Sequence, residues 1–428
     1  MSTEDLAEFF DRPGTGPLSG IVVADFSRVL AGPYATMMLA DLGATVIKVE
    51  GPGGDDTRSW QPPVRGEDAT YYLSINRNKY DIVLDLTDAD DRGVAQELAR
   101  RADVVVENFK PGGLTKYGLD YDAVKEANPE VVYASVTGFG PQNPQPGYDL
   151  LVQGLSGFMS LTGAADGEPY RAGVAIFDVM TGLHTTIGIL AALQHRGKTG
   201  EGQKVDTNLL SSAMSGLVNQ SSAYVAGGAV PHRMGNEHPS LYPYQPMPTK
   251  EGDLIIACGN DRQFAMLANT VGRPEWLEDE RFARAVPRNS HRKELEPLLI
   301  EALSHKDAQE WFALLTDAGM PCAPINSIEQ GVQLAESMGL APAVDTGTGD
   351  RVIPTVRNPI SLSKSPVGYD LAPPALGQDS DLVRRWLASP SSTGTAAEVG
   401  AGTQATGASA TRTQVTEASA TGTPVTED

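Results

Sequence analysis

Cysteine and basic residues are scarce in this chain of 428 residues. Only two cysteines occur, Cys258 and Cys322, and they lie far apart, outside any CxxC pair. Two such cysteines exclude a disulfide scaffold and a cysteine zinc site. Lysine and arginine together number 33 against 54 acidic residues, so the net charge is −21. Because nucleic acids and anionic membranes bind basic surfaces, we expect neither as a partner.

Signals for membranes and secretion are also missing. No run approaches the roughly 18 consecutive apolar residues of a transmembrane helix. The first residues, Met-Ser-Thr-Glu-Asp, are acidic and lack the basic and then apolar order of a secretory signal. Together with the low cysteine content, these features predict a cytoplasmic protein.

Several catalytic and nucleotide-binding motifs are absent as well. The segment 26–34, after the first predicted strand, holds one glycine, so the GxGxxG motif of dinucleotide-binding proteins is missing. There is no GxxxxGK[ST] motif, and the segment 154–157 lacks the GxSxG spacing of hydrolases. The six histidines form no HExxH motif. We therefore predict neither a nucleotide-dependent oxidoreductase nor a metal site.

The first half of the chain alternates short apolar, β-branched runs with helical segments. Runs that are apolar on both faces suit a parallel sheet covered by helices on both sides. The pattern predicts an α/β fold with a Rossmann-like, doubly wound parallel sheet. Strands are expected at residues 20–25, 44–50, 82–86, 103–107, 131–136 and 204–209, with helices at 33–42, 88–101 and 210–224 and a long apolar stretch at 174–194.

Composition also predicts the division of the chain into domains. Residues 1–225 are expected to form the large Rossmann-like domain, and residues 226–248, rich in glycine, proline and aromatic residues, a linker. A smaller α+β domain is expected at 249–342. Residues 391–428 contain no aromatic residue, Leu, Ile or Met and hold a ten-residue near-repeat. Such a segment cannot bury enough apolar surface to fold, so a disordered tail is predicted.

One acidic residue, Asp178, lies within an otherwise apolar stretch that includes Ile176, Phe177 and Val179. Burial of a carboxylate is costly and raises its pKa. Spacing alone favours a helix cap or a buried acid bonded to the backbone. The alternative is a functional carboxylate that is poorly solvated and more nucleophilic when ionised. The composition of the stretch leaves both interpretations open.

Six motifs, in order, resemble the class III CoA-transferases, the family of formyl-CoA and carnitine CoA-transferases. The resemblance covers most of residues 18–390. The motifs are LSGIVVADFSRVLAGP at 18–33, DLGATVIKVE at 41–50, NRNKYDIVLDL at 76–86, DVVVENFKPG at 103–112, YDLLVQGLSG at 148–157 and KTGEGQ at 198–203.

The resemblance implies that Asp178 is the catalytic nucleophile of a CoA-transferase. Asp178 would attack an acyl-CoA donor and form a mixed anhydride and then an aspartyl-CoA thioester, before CoA passes to a free acid. No prosthetic group or metal is implied, and coenzyme A enters as part of a substrate. The implied CoA contacts are Arg28, Leu30, Ala31, Leu84, Asn108, Phe109 and Lys116, with Lys79 nearby and Tyr148 and Asp149 beside the active site.

The resemblance also implies an interlocked homodimer. In that arrangement a return segment at residues 343–390 completes the large domain, and the substrates meet between the large domain of one subunit and the small domain of the other. Taken from residue types alone, Phe109 is equally explained as a core residue, and Lys79 or Lys116 as a solvated surface charge.

Other activities remain open at this stage. The same fold hosts α-methylacyl-CoA racemases, which use a histidine where this chain has Tyr148, a far weaker base at neutral pH. A CoA-binding homologue without catalysis is a third possibility. The glycine-rich loop of formyl-CoA transferases is missing around residues 242–261, which argues against an oxalate or formyl role. A succinyl-CoA donor and a dicarboxylate acceptor are expected by analogy alone. Arg28, Arg77, Arg171 and Arg233 are candidates for binding a second carboxylate.

Overall fold

A six-stranded parallel sheet forms the centre of the fold. The structure is a computed structural model in which residues 16–389 are described. Its sheet has the strand order β5-β2-β1-β6-β7-β8. The strands of the protein are β1 (Val22–Asp25), β2 (Thr45–Glu50), β3 (Val64–Arg65), β4 (Asp68–Ala69), β5 (Lys79–Val83), β6 (Val104–Glu107), β7 (Val132–Thr137), β8 (Gln203–Asn208), β9 (Tyr244–Pro248), β10 (Asp253–Ala257), β11 (Cys322–Pro324), β12 (Ala343–Thr346) and β13 (Ile353–Val356).

Helices cover both faces of this sheet. Alternate residues of β1 point to opposite sides, so Val22 packs with Leu98 and Trp386 on one face while Val23 packs with Leu39 and Ile189 on the other. The helices are α1 (Ala31–Asp41), α2 (Thr70–Leu73), α3 (Ala89–Arg101), α4 (Tyr121–Ala127), α5 (Asp149–Leu155), α6 (Phe158–Leu161), α7 (Ile176–Thr199), α8 (Leu209–Gly216), α9 (Asn219–Val225), α10 (Asp261–Thr270), α11 (Ala285–Ser290), α12 (Arg292–Leu303), α13 (Ala308–Asp317), α14 (Ile328–Ser337) and α15 (Ser380–Ala388). The predicted α/β class with a doubly wound parallel sheet is confirmed.

Strand β5 and the helix predicted at 210–224 differ most from their predicted bounds. Strand β5 begins at Lys79 rather than at residue 82, because Lys79 and Asp81 are buried and pair in register with β2 although both are charged. The single helix predicted at 210–224 is two helices. The chain turns between them at Val218, whose φ of 41° does not belong to a right-handed helix.

A second, three-stranded antiparallel sheet has the order β11-β10-β9 and packs against α10, α12 and α13. Its edge strand β9 occupies residues 244–248, so the end of the predicted linker is part of this sheet. Pro246 and Pro248 are tolerated there because an edge strand needs fewer backbone donors. The division into a large domain, linker, small domain and return segment stays a prediction, and the predicted tail at 391–428 lies outside the described residues.

The segment after the small sheet runs back to the large one. The hairpin of β12 and β13 precedes α15, which packs against α3 beside the six-stranded sheet. The guanidinium of Arg101 on α3 donates hydrogen bonds to the carbonyl oxygens of Trp386, Leu387 and Ser389 at 2.6–3.0 Å. These bonds tie the carbonyl groups at the C-terminal end of α15 to α3.

Helix α7 is the one described helix that is long and apolar enough to cross a membrane, with 24 residues and a mean hydropathy of 1.5 over its best window. Core helices of ordinary globular proteins pass the same test. Here α7 packs against α1 and β7, burying Phe177, Ile189 and Ala192 among sheet residues. Packing against the sheet therefore explains the apolar residues on one side of α7. On its other side, Leu183 and Ile187 are exposed.

Candidate active site

Two adjoining cavities lie at the carboxyl edge of the parallel sheet, where ligands of α/β proteins usually bind. The first has a volume of about 570 Å³ and includes Asp178, Asn108 and Tyr148 in its wall. The second has a volume of about 260 Å³ and is lined by Leu84 among others. Arg28 and Phe109 belong to both walls, so the two cavities adjoin, and together they are called the cleft.

Asp178 lies in the first turn of α7 and is partly buried in the wall of the larger cavity. Burial, and after it the negative charge of Asp149, raise the pKa of Asp178 to about 7. The carboxyl group is therefore close to half ionised at neutral pH. This is the poorly solvated carboxylate that the apolar stretch around residue 178 suggested.

Asp149 is the reason that the start of α7 does not stabilise the charge of Asp178. One oxygen of Asp149 accepts the N–H of Phe177 at 2.8 Å and the N–H of Asp178 at 3.2 Å. These are free donors of the first helical turn, which would otherwise attract an anion. The other oxygen accepts from Gln153, whose own side-chain oxygen accepts the N–H of Ala172 at 2.8 Å. Asp149 and Gln153 thus fix the chain that leads into the helix of Asp178.

The loop from Arg28 to Leu30 forms the opposite part of the wall. The side chain of Asn108 binds the backbone of Arg28 twice: its oxygen accepts the N–H at 2.9 Å, and its amide donates to the carbonyl at 2.7 Å. Phe109 follows, and its N–H donates to Glu107 at 2.7 Å. Asn108 therefore has a clear role in holding the loop, besides its expected contact with CoA.

The structure brings most of the expected contacts together. Arg28, Leu30, Ala31, Asn108, Phe109 and Tyr148 line the larger cavity with Asp178, and Leu84 lines the smaller one. Lys116 lines neither cavity; it is exposed, with its Nζ 4.6 Å from the centre of the Tyr117 ring. Tyr117 does line the smaller cavity. Lys116 is thus at the rim of the smaller cavity, and its side chain would have to extend further to contact a bound phosphate.

Two of the other basic candidates are ruled out by burial. Lys79 is inaccessible and pairs with Asp25 at 3.1 Å, so it cannot meet CoA. Burial, partly offset by Asp25, lowers the pKa of Lys79 to about 8. Arg77 is buried as well and pairs with Asp41 at 2.6 Å, so it cannot bind a second carboxylate of the substrate. Arg171 is exposed, and Arg233 donates to the carbonyl of Gly167 at 3.0 Å.

Sequence reasoning missed two aromatic residues near Asp178. Trp60 lines the larger cavity and makes an edge-on contact with the Tyr71 ring at 5.0 Å between centroids. Burial, followed by the nearby charge of Asp178, raises the pKa of Tyr71 to about 12. No sequence pattern marked either residue: Trp60 lies in the polar segment 51–69, and Tyr71 lies in the short helix α2. Within residues 16–389, no three His, Cys, Asp or Glu side chains are grouped as a metal site requires.

Comparisons with known proteins agree with this geometry. The model of CoA-transferase family III matches residues 18–380. Succinate–glutarate CoA-transferase of Agrobacterium fabrum is 44% identical over 373 residues, which cover 85% of this chain and 93% of that protein. Succinyl-CoA:glutarate CoA-transferase of Mus musculus is 40% identical over 369 residues, covering 85% and 84%. A crystal structure of a CAIB/BAIF family protein from Brucella suis is 41% identical, with a TM-score of 0.78 over 87% of this chain and 99% of that one.

The chain therefore belongs to CoA-transferase family III, and it is a transferase enzyme that acts on CoA thioesters. The resemblance found in the sequence motifs is confirmed, as is the predicted CoA-transferase activity.

Proposed function

We propose that this enzyme transfers CoA from succinyl-CoA to a dicarboxylic acid, with Asp178 as its covalent nucleophile. The names of the relatives, which pair succinate or succinyl-CoA with glutarate, support the substrate class. The place of Asp178 in the cavity wall supports the nucleophile. The interpretation of Asp178 as a mere helix cap is less favourable, because the neighbouring N–H groups of α7 are already bound by Asp149.

The proposed reaction has four displacement steps in which atoms and charges balance. The Asp178 carboxylate attacks the thioester carbonyl of succinyl-CoA, the C–S bond breaks, and CoA leaves as a thiolate. The thiolate attacks the Asp178 carbonyl of the anhydride and releases succinate. The acceptor carboxylate then displaces the thiolate from the aspartyl thioester, and the thiolate finally attacks the acceptor carbonyl, which restores the Asp178 carboxylate. One thioester replaces another, so no energy source is consumed.

The observation that carries this proposal is the poor solvation of a carboxylate that faces an open cavity. A carboxylate whose pKa is raised to about 7 is a stronger nucleophile than an ordinary one, yet about half of it is ionised near neutral pH. The covalent route divides one difficult displacement into easier ones. Tyr148, in the wall of the same cavity, is too weak a base for the proton abstraction that a racemase requires.

Binding of the polyanionic CoA is supported by local positive charge. Arg28 and Lys110 line the larger cavity. The net charge of −21 does not oppose them strongly, because exposed charges farther away than about 8 Å are screened at physiological salt. Lys116 at the rim is proposed as a further phosphate contact. The apolar side chains of Leu30, Leu84 and Phe109 would pack against the less polar parts of CoA.

Two acceptors of equal chain length test the substrate class. Succinyl-CoA is supplied with glutarate or with the monocarboxylate valerate, and acyl-CoA products are separated by chromatography. We expect at least about tenfold faster transfer to glutarate, because a charged pair formed with the second carboxylate adds binding energy. Acetyl-CoA serves as the matched control donor. Equal rates with both acceptors would contradict a dicarboxylate-specific site, and exchange of the α-proton in deuterated water would instead indicate a racemase.

We further propose a homodimer, supported by apolar side chains that a single chain leaves exposed. On α5, α7 and α8 these include Leu155, Ile187 and Met214, and at the two ends of α14 they include Ile328 and the following Met338. Exposed apolar patches on this scale usually mark protein interfaces. The expected interlocking of two copies would cover both regions. We expect a dimer in sedimentation equilibrium and dissociation by Ile187→Asp, whereas a monomeric wild-type protein would contradict the proposal.

A cytoplasmic location belongs to the same proposal. Cys258 and Cys322 are both free, as is usual in a reducing compartment. Fractionation of cells that express the protein tests the location directly, and recovery in the membrane pellet would contradict it.

A further inference from the structure

Val29 adopts a backbone conformation that β-branched residues avoid. Its φ is 69°, in the left-handed region, where a β-branched residue is strained. Such strain persists only where surrounding contacts hold it in place. Val29 lines the same cavity as Asp178, between Arg28 and Leu30. A change in the Val29 backbone would therefore move the wall of the cleft.

Two buried charged residues hold the backbone on each side of Arg28. The Asp55 carboxylate accepts the Val29 N–H at 3.2 and 3.3 Å. The Lys48 ammonium lies 2.9 Å from Asp55 and donates to the Ser27 carbonyl at 3.0 Å. Both charged side chains have no exposed area. A single ion pair thus binds the chain immediately before and immediately after the residue that faces the cleft.

Asp55 is itself held in one orientation. Its Oδ1 accepts the N–H of Thr57 at 3.0 Å and the Thr57 hydroxyl at 2.7 Å, while Oδ2 faces Lys48. The N–H of Asp55 donates to Glu50 at 2.5 Å. With these partners fixed, the carboxylate cannot turn away from Val29 without losing several charge-assisted hydrogen bonds.

Stability alone does not explain this pair. Burying two charges costs desolvation energy, and apolar side chains of similar volume often stabilise a protein as well or better. We propose that the Lys48–Asp55 pair is a positioning device that holds Val29 in its left-handed conformation and so shapes the wall of the CoA cleft beside Asp178. This inference rests on the proposed function only in taking the cavity as the place where CoA binds.

The decisive experiment combines changes at residues 55 and 29. Asp55→Asn is expected to lower kcat/KM about tenfold to a hundredfold, mostly through a higher KM for the acyl-CoA, because it weakens the contacts that hold the strained conformation. Glycine adopts a positive φ without strain. Val29→Gly in the Asp55→Asn background should therefore recover most of the loss. If the double variant lost as much kcat/KM as Asp55→Asn alone, Asp55 would not act through Val29, and the inference would be overturned.

A second variant separates positioning from mutual neutralisation of the charges. Lys48→Met with Asp55→Leu removes both charges and keeps the interior apolar, so the protein is expected to fold. Its kcat/KM should remain impaired, because the Val29 N–H has lost its acceptor. Arg77→Met with Asp41→Leu, which removes a buried pair that lines neither cavity, is the matched control and should leave the KM unchanged. Wild-type kinetics in the Lys48→Met, Asp55→Leu protein would overturn the inference.

Calorimetric titration with CoA alone distinguishes the two levels of failure. The unchanged protein is expected to bind CoA, and Asp55→Asn is expected to bind it more weakly by about the same factor as the rise in KM. Equal affinities would overturn the role of the ion pair and leave the proposed function intact. Absence of CoA binding to the unchanged protein would overturn the proposed function, and this inference with it.

Discussion

The two larger sheets of the protein bury different side chains. At the cleft of the parallel sheet lie the charged residues Asp25, Lys48, Asp55 and Lys79, all without significant exposure. The three-stranded sheet instead packs a mostly apolar cluster that contains Leu254, Ile256, Phe264 and Trp276, with the buried Arg288 beside it.

The two kinds of buried residue have different roles. Burial of apolar side chains stabilises the fold, whereas buried charges lose hydration energy and are weak evidence for stability. Where charges are nonetheless buried next to a cavity, they fix the positions of loops and side chains that the cavity uses. We therefore expect changes near the cleft to act on catalysis first and changes in the small sheet to act on stability first.

The largest effect is expected for Asp178→Asn. Loss of a covalent nucleophile should reduce kcat/KM at least about a thousandfold. The stability of the folded protein should not fall. Because the pKa of Asp178 is higher in the folded than in the unfolded chain, its ionisation costs stability as the pH rises from about 4 to about 7.

Melting curves of the Asp178→Asn variant check this sign. Its Tm should exceed that of the wild type at pH 8 and approach it at about pH 3, where the carboxyl group is mostly protonated in both the folded and the unfolded chain. A variant that loses activity and also melts lower at pH 8 would place Asp178 with the structural residues and break the comparison between the two sheets.

An effect of intermediate size is expected in the small sheet. Leu254→Ala removes a fully buried side chain and should cost about 2–5 kcal/mol of unfolding free energy. The kcat of the protein that remains folded should stay close to the wild-type value. Chemical denaturation followed by tryptophan fluorescence measures the change, since Trp276 and Trp311 lie in the same cluster.

The matched control for that variant is Leu314→Ala, which truncates an exposed leucine of α13 and should change stability by no more than about 0.5 kcal/mol. If Leu254→Ala lowered kcat as strongly as a change at the cleft, the small sheet would have a catalytic role that its apolar core does not suggest.

The smallest effect is expected for Asp149→Asn, which keeps an oxygen for the N–H groups of α7 but removes a negative charge. The pKa of Asp178 should fall, because the Asp149 charge helps to raise it. The acid limb of the profile of kcat/KM against pH should move to lower pH by about one unit or less. Asp90→Asn, on the exposed start of α3, should leave the profile unchanged, and an unshifted profile for Asp149→Asn would show that the two charges do not interact.

Much of the fold could be predicted because buried parallel strands consist of short runs of β-branched, apolar residues. Such runs predicted β1, β2, β6 and β7. This pattern missed the start of β5, since Lys79 and Asp81 read as surface residues until their partners Asp25 and Arg58 are known. It also missed β9, because prolines in a segment argue against a strand unless that strand lies at an edge.

The site divides in the same way. Asp178 could be singled out because a carboxylate in an apolar stretch is unusual, but its predicted role came from the resemblance, which also supplied Asn108 and Phe109. Asp55, Trp60 and Tyr71 carried no signal, since they come from a polar segment and a one-turn helix and approach the cleft only through tertiary contacts. Lys79 was named because the resemblance placed it near the CoA contacts. Only the structure reveals its buried partner, Asp25.

The central claim is that Asp178 becomes covalently attached to the substrate in each cycle. Enzyme mixed with succinyl-CoA and quenched during turnover can be treated with hydroxylamine, which converts an aspartyl thioester or anhydride to a hydroxamate. Mass spectrometry of the peptide that contains Asp178 should then find the hydroxamate, and the Asp178→Asn protein should lack it. An unmodified Asp178 peptide from enzyme that is still forming product would contradict the account.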